Sequence, residues 1–446
     1  MSEIIKTSCG EIRGTTCQWE GVSAFKGIRY ATAKRWEYPV LVEKWDGIYD
    51  ATEYGNCSYQ PRAFYDESKV TAKAFYYNEF RKGETYTYDD DCLFLNIWKP
   101  EKATADSKLP VIFYIHGGGY KGGCGHEKHF DGPVWPTKDV IAVTCNYRLG
   151  MMGFMCLEEL KKEAGHTGNY GLYDQMTALQ WVQKNIEAFG GDPSNVTVMG
   201  QSAGAMSVQQ LCLSPLTDGL FAKAVMNSGG GVSSLMDTKA TAESRCAFWE
   251  KVKAEAGCAN VAELRALEAE KLFKAWDKVT KETKGAGMIG SPCVDGLMVA
   301  KPNSEAVKTG MQKDIPYMMG STSEDIVPPI IHGMAKNWCK LQKGYCWFFD
   351  RKLPGDDNGA WHSSELWYFF GTLKNGWRPF EEKDYKLSEE MVTALCNFAK
   401  TGNPGWEAFT DSKQPIMRWG EKESHIGKPS GLKLIYTMFT NKAVGE

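Results

Sequence analysis

Short apolar runs separated by helical and polar segments constrain the fold of this 446-residue chain more than any other feature. Uninterrupted runs of this length are typical of strands that are buried on both faces of a parallel sheet. Between them, residues 173–189 carry apolar side chains at three- and four-residue steps, which predicts a helix. We therefore expect an α/β fold with a mostly parallel, helix-flanked central sheet. The predicted strands are 110–116, 139–146, 195–200, 223–228, 315–320, 345–349 and 432–436.

Charge, hydropathy and cysteine content limit the classes of function. Lys and Arg number 52 against 55 Asp and Glu, a net charge of −3, so we expect no nucleic-acid partner. We see neither an apolar run of membrane-spanning length nor a secretory signal, so we expect a cytoplasmic protein, or a secreted one if a signal was removed. The 14 cysteines include no CxxC pair. They predict buried thiols and no metal site.

The pentapeptide Gly200-Gln201-Ser202-Ala203-Gly204 follows a predicted strand and precedes a helical pattern. This is the G-x-S-x-G pattern in the strand–turn–helix context that lifts a serine hydroxyl above a sheet. Small residues are required at both ends because the helix passes close to the strand. The sequence therefore predicts that Ser202 is a nucleophile.

A second glycine-rich segment, His116-Gly117-Gly118-Gly119-Tyr120, follows another predicted strand. Loops of this type present backbone N–H groups to the oxyanion of an ester substrate. We expect Gly118 and Gly119, with the N–H of Ala203, to form an oxyanion hole. A phosphate-binding loop is the alternative, but no GK[ST] follows these glycines.

With these motifs the chain resembles the type-B carboxylesterases of the α/β-hydrolase superfamily. The segment DDCLFLNIW at 90–98 is similar to a signature of that family. Further similar segments are FKGIRYA at 25–31, NYRLG at 146–150, GNYGLYDQ at 168–175, FGGDP at 189–193 and FAKTGNP at 398–404. The resemblance covers nearly the whole chain and implies one α/β-hydrolase domain, 1–446. A Lys-, Glu- and Ala-rich insertion at about 235–310 is predicted to be a helical cap.

The remaining members of a catalytic triad are expected after Ser202, in the order acid and then histidine. His362 lies in GAWHSSEL at 359–366, which is similar to the family's histidine motif. The segment GSTSED at 320–325 offers two acids, and the family pattern favours Asp325 over Glu324. Ser228 resembles a family serine that supports the acid.

Two features depart from the family pattern. Gln201 stands where the family usually has Glu, which removes a charge beside the nucleophile. The interval between Asp325 and His362 is short, so residues 326–344 predict a shortened lid and a more open pocket. Separately, Cys57 and Cys92 resemble a disulfide pair of secreted relatives, and in a chain with no visible export signal a thiol pair is the alternative. Four aromatic residues are candidates for the pocket wall: Tyr120, Trp347, Trp361 and Trp367.

Together these observations predict a serine carboxylic-ester hydrolase that acts through an acyl-enzyme on small-molecule esters, as a monomer or homodimer. No cofactor and no metal are implied, because the nucleophile is a side chain. A narrower hypothesis, esters of bulky or aromatic acids such as feruloyl esters, depends on tryptophan content and the short lid. The alternative from another class is a catalytically silent interaction protein on the same fold.

Overall fold

A computed structural model describes residues 3–233 and 237–440. Its strands are β1 Ile4–Thr7, β2 Gly10–Arg13, β3 Thr15–Thr16, β4 Val22–Arg29, β5 Ala31–Thr32, β6 Val40–Leu41, β7 Ile48–Asp50, β8 Cys57–Ser58, β9 Tyr88–Asp89, β10 Phe94–Pro100, β11 Leu109–Ile115, β12 Ile141–Cys145, β13 Gly191–Gln201, β14 Lys223–Asn227, β15 Tyr317–Thr322, β16 Tyr345–Phe349, β17 Ile416–Trp419 and β18 His425–Ile426. Its α-helices are α1 Thr71–Phe80, α2 Gly150–Phe154, α3 Glu158–Ala164, α4 Tyr170–Asn185, α5 Ala203–Leu213, α6 Ala242–Glu255, α7 Val261–Ala266, α8 Ala269–Glu282, α9 Asn303–Lys308, α10 Pro328–Gln342, α11 Leu366–Phe370, α12 Glu382–Thr401 and α13 Gly431–Thr440.

A large central sheet organises the molecule. Within the described residues its strand order is β18-β17-β16-β15-β14-β13-β11-β12-β10-β4-β3. The strands from β17 to β12 run parallel, while the pairs at both edges are antiparallel. The carboxyl ends of parallel strands lie at the same edge of a sheet. The loops that follow β11, β13 and β15 therefore meet at that edge.

The apolar runs that predicted the central strands are buried because helices cover both faces of the sheet. All residues of β12 and β14 are buried, and those of β11 are buried except its first. Two large hydrophobic clusters, one on each face, contain alternate side chains of these strands, such as Phe113 in one and Tyr114 in the other. The first six predicted strands are confirmed, with end points that differ by up to four residues.

The seventh predicted strand, 432–436, is wrong, because these residues lie in helix α13. In a strand, Leu432, Leu434 and Tyr436 would share one face. Instead Leu434 is 8% exposed while Leu432 and Tyr436 are 83% and 68% exposed. Burial recurs three residues on, at Thr437, on the side that packs against α10. A short apolar run is compatible with both a strand and a helix. Here the packing of the segment against α10 favours the helix.

The segment predicted as a helical cap contains α6, α7, α8 and α9, and residues 235 and 236 lie outside the described residues. The apolar sides of α6 and α8 pack with Met151, Met155 and Leu157 in a third hydrophobic cluster, separate from the two clusters of the sheet. The predicted short lid, 326–344, is largely one helix, α10. Nowhere in the described chain is a helix both long and apolar enough to cross a bilayer.

Candidate active site

The turn between β13 and α5 places Ser202 at the edge of the sheet. β13 ends at Gln201, and α5 begins at Ala203. Ser202 has φ +55° and ψ −123°, a strained backbone conformation for a residue other than glycine. A Cβ atom at Gly200 would lie 2.3 Å from the carbonyl oxygen of Gly204. The tight turn therefore requires glycine there, and Ser202 lines an adjacent cleft.

His362 and Asp325 come together at the same edge, 37 residues apart in sequence. Nδ1 of His362 lies 2.6 Å from Oδ1 of Asp325, and both side chains are buried. The backbone N–H of Ile326 donates to the same oxygen at 2.9 Å. Burial opposes ionisation of Asp325, but the charge and hydrogen bond of His362 outweigh it and lower the pKa of the carboxyl group. Asp325 is thus held as a carboxylate that can orient the imidazole.

The two adjacent acids, Asp325 and Glu324, differ in what they contact. Oε2 of Glu324 accepts hydrogen bonds from the hydroxyl of Ser323 and, at 2.9 Å, from the backbone N–H of Ala360. The N–H of Glu324 donates in turn to the carbonyl oxygen of Ala360 at 3.1 Å. Glu324 therefore joins its own loop to the segment that carries His362, while Asp325 bonds the imidazole.

Gln201 contacts the imidazole directly. Its Nε2 amide lies 3.2 Å from Nε2 of His362. With Nδ1–H donating to Asp325, Nε2 is left as an acceptor, and the amide of Gln201 donates to it. Within residues 3–233 and 237–440, His362 makes this bond and none with the hydroxyl of Ser202. Gln201, which departs from the family pattern, thus hydrogen-bonds to the nitrogen atom through which a catalytic histidine would accept a proton.

Ser228 follows β14 and lies beside Asp325. It is buried and has φ +48°. Its hydroxyl is one of the groups that lower the pKa of Asp325, after the charge and the hydrogen bond of His362. Its Oγ makes no well-formed hydrogen bond to any described residue. Ser228 is therefore adjacent to the carboxylate without being its main partner.

The glycine loop lies against the serine turn. A Cβ at Gly117 would come within 2.7 Å of the carbonyl oxygen of Gln201, and one at Gly118, where φ is +104°, within 2.1 Å of the carbonyl oxygen of Gly122. In the described part of the chain, the N–H groups of Gly118, Gly119 and Ala203 donate to no protein acceptor. Three candidate donors are thus available beside Ser202.

Glu365 is a component of this site that the sequence analysis did not single out. It is fully buried, and no described group hydrogen-bonds to its carboxyl oxygens. Burial, and then the charge of Asp325, raise the pKa of Glu365 well above its ordinary value. Burial therefore favours the protonated, uncharged form of Glu365 beside the carboxylate of Asp325. The sequence feature that could have identified Glu365 is its position three residues after His362 in the segment GAWHSSEL.

The cleft in front of Ser202 has a volume of about 460 Å³. The four expected wall residues do not line it: Tyr120, Trp347, Trp361 and Trp367 are at most 1% exposed and lie in the core. The ring of Trp361 packs edge-on behind Tyr76, at 5.8 Å between centroids. No described residue of the predicted cap lines the cleft either. The large apolar side chains that do are Tyr65, Tyr76, Phe80, Phe130, Ile326 and Leu366.

Of the two alternatives for Cys57 and Cys92, a disulfide or a thiol pair, the structure has free thiols, as it does for all 14 cysteines. Cys92 is buried near Asp174 and Arg148, and burial raises the pKa of its thiol. The thiol of Cys57 lies instead 3.7 Å from Nε2 of His126. The two cysteines therefore belong to different surroundings in the folded chain.

Comparison with known proteins identifies the family. The sequence profile of the carboxylesterase family matches residues 1–343 and 326–433. The chain belongs to the carboxylesterase family. This carboxylesterase is 31% identical over 471 aligned residues to para-nitrobenzyl esterase of Bacillus subtilis (strain 168), with 91% of each chain covered. It is 32% identical to fumonisin B1 esterase of Sphingopyxis macrogoltabida, over 72% of this chain and 55% of that protein.

Solved structures agree with this assignment. A para-nitrobenzyl esterase structure superposes with a TM-score of 0.84 at 27% identity, covering 98% of this carboxylesterase and 100% of that chain. An esterase from Clostridium hathewayi, described as able to hydrolyse aliphatic aromatic polyesters, superposes with a TM-score of 0.82 at 27% identity, covering 99% and 98%. The predicted α/β-hydrolase fold and the predicted enzyme class are confirmed.

Proposed function

We propose that this carboxylesterase hydrolyses small carboxylic esters through an acyl-enzyme formed on Ser202. The observation that carries the proposal is the buried 2.6 Å contact between His362 and Asp325 at the sheet edge where Ser202 lines the same cleft. His362 takes the proton of Ser202 as its oxygen attacks the ester carbonyl carbon. The N–H groups of Gly118, Gly119 and Ala203 then hold the oxyanion, and loss of one such donor costs about 3–4 kcal/mol of transition-state stabilisation.

The cycle closes with the same groups. Protonated His362 gives its proton to the departing alcohol as the bond between carbonyl carbon and alkoxy oxygen breaks. Water then attacks the acyl-enzyme while His362 accepts its proton, and the acid leaves as the proton returns to Ser202. Asp325 stabilises the imidazolium in both halves. The amide of Gln201 must leave Nε2 of His362 before each step in which His362 accepts a proton.

We further propose substrates with a bulky or aromatic acyl group, of the feruloyl kind. The support comes from the Tyr and Phe side chains of α1 that line the cleft, and no longer from the tryptophans. The volume of about 460 Å³ is within the usual range for small-molecule sites. Ile326, at the start of the short lid, lines the cleft and is 46% exposed. This exposure is expected if the cleft is open on the side of the lid.

Replacement of Ser202 tests the nucleophile. We expect Ser202→Ala to abolish hydrolysis of p-nitrophenyl acetate and labelling by a fluorophosphonate, because both need the hydroxyl oxygen. Ser412→Ala, at an exposed loop position, is the matched control and should retain both. Turnover by Ser202→Ala near the wild-type rate would refute the proposed mechanism. A wild-type protein that neither reacts with the probe nor hydrolyses any ester would favour the silent interaction protein.

A further inference from the structure

Three side chains outside the proposed catalytic machinery converge in the interior. The thiols of Cys57 and Cys124 and a ring nitrogen of His126 all lie within 4.8 Å of one another. Their residues are 0%, 1% and 8% exposed. Cys57 lies in β8, and the other two lie directly after the glycine loop, more than 60 residues further along the chain. Nothing in the proposed ester hydrolysis uses these groups.

The spacing of the cluster matches that of ligands around one metal ion. The Sγ atom of Cys57 is 3.7 Å from Nε2 of His126. With zinc bonds of about 2.3 Å to sulfur and about 2.0–2.1 Å to nitrogen, a tetrahedral angle places the two ligand atoms about 3.6 Å apart. The observed separation therefore needs almost no adjustment to hold an ion. Two thiols and one imidazole form a donor set that selects soft or borderline cations.

The surroundings suit a site that carries no net charge. The neighbouring ions are already paired: Nη1 of Arg62 lies 2.7 Å from Oε1 of Glu127, and Arg81 bridges Glu67 and Glu127. A divalent cation with two thiolates and a neutral imidazole sums to zero charge. Such a site adds no uncompensated charge to the interior, which would be costly.

The cluster also has an ordered histidine and a route from solvent. The ring of His126 stacks on Tyr54, at 4.5 Å between centroids and an interplanar angle of 7°. His126 and Tyr54 line a second cleft of about 470 Å³, together with polar residues such as Asp131. An ion and a water molecule as its fourth ligand could enter from this side.

We propose that Cys57, Cys124 and His126 form a binding site for a thiophilic divalent metal ion such as Zn²⁺. Each thiol releases one proton to solvent as its sulfur binds, and His126 binds as the neutral imidazole through Nε2. The ion joins β8 to the end of the glycine loop, next to Gly123, whose N–H already donates to the side chain of Gln60 at 3.0 Å. Its expected role is structural: it anchors the loop that carries Gly118 and Gly119.

Metal binding by the full chain, kept reduced and first freed of metal, tests the proposal. Co²⁺ should bind in a ratio of one per chain with a thiolate-to-cobalt absorption band, and Zn²⁺ should displace it. Cys124→Ser, Cys57→Ser and His126→Gln should each weaken Zn²⁺ binding by on the order of 100-fold, since each removes one of three protein ligands. Cys396→Ser, a buried thiol of another cluster, is the control and should bind as wild type.

A measurement on the unmodified protein keeps the test independent of variant folding. Crystals soaked in Zn²⁺ should give an anomalous peak about 2.3 Å from both Sγ atoms. A peak elsewhere, no peak, or undiminished binding by Cys124→Ser would overturn the proposal. So would a disulfide between Cys57 and Cys124 in protein purified without reductant.

Discussion

At the scale of single residues, the most informative position is Gln201. A carboxamide N–H can donate to Nε2 of His362 only while that nitrogen is unprotonated. The observed contact is 3.2 Å long and joins the two side chains directly. A carboxylate at the same position would instead accept a hydrogen bond from the protonated ring. Gln201 and the Glu that is usual in the family can therefore hydrogen-bond to opposite forms of the His362 ring.

Substitution of Gln201 tests the effect of this side chain on His362. Gln201→Glu should move the acidic limb of the pH profile of kcat/KM to higher pH, because a carboxylate beside the ring stabilises imidazolium. Activity at pH 6 should then fall relative to activity at pH 8. Gln201→Met, which fills a similar volume without a charge, should move the limb less than Gln201→Glu does. An unchanged limb in the Glu variant would mean that the side chain does not face His362 in solution.

At the scale of secondary-structure elements, α1 determines the shape of the cleft. Tyr76 and Phe80 of this helix line it, and the hydroxyl of Tyr76 donates to the carbonyl oxygen of His362 at 3.2 Å. The helix thus joins the wall of the cleft to the loop that carries His362. Its sequence has no strong amphipathic pattern, so its position could not be inferred from periodicity.

Truncation of one α1 side chain tests the proposed substrate class. Tyr76→Ala should lower kcat/KM for a feruloyl-type aromatic ester by roughly 2–10-fold more than for an acetate ester, as expected for the loss of one aromatic contact. Tyr77→Ala, the neighbouring residue that does not line the cleft, should change both substrates equally. If wild-type rates collapse on bulky acyl groups, the open-pocket hypothesis is wrong, and the assignment of Ser202 is unaffected.

At the scale of the whole molecule, buried histidines affect stability. Burial lowers the pKa of His332 from 6.5 to about 4 and that of His129 to about 3. His332 lies on α10, 3.3 Å from the hydroxyl of Ser321, and the charge of Lys336 lowers its pKa further. Both histidines are neutral in the folded protein at pH 6, while an unfolded chain takes up protons below pH 6.5.

Stability should therefore fall as the pH drops from about 6.5 towards 4. A folded-state pKa below the unfolded value favours folding above the unfolded pKa, and that advantage is lost on acidification. His332→Gln should reduce the loss of unfolding free energy between pH 7 and pH 4 by up to about 3 kcal/mol. Denaturant melts across this range would measure it, with exposed His425→Gln as the control. Parallel stability profiles for His332→Gln and wild type would contradict the prediction.

The sequence by itself determined the fold class and supplied the candidate residues of the site. Uninterrupted apolar runs between helices predict a parallel sheet, because only strands covered on both faces tolerate such runs. The two glycine motifs located the serine turn and the donor loop, because close backbone approach leaves no room for a side chain. His362 was predicted from its motif and from chain order, and Asp325, with Glu324 as the alternative, from the resemblance to the family pattern.

Only the tertiary structure decided which groups meet. Asp325, and not Glu324, forms the hydrogen bond with His362. Gln201 contacts the same ring. The tryptophans that were expected in the cleft wall lie in the core behind it. The tertiary structure turned the last predicted strand into α13, because one face of that segment packs on α10. It also brought Cys57 to Cys124 and His126, where spacing along the chain gave no sign of a metal site. Contacts between distant segments depend on packing, which local sequence does not encode.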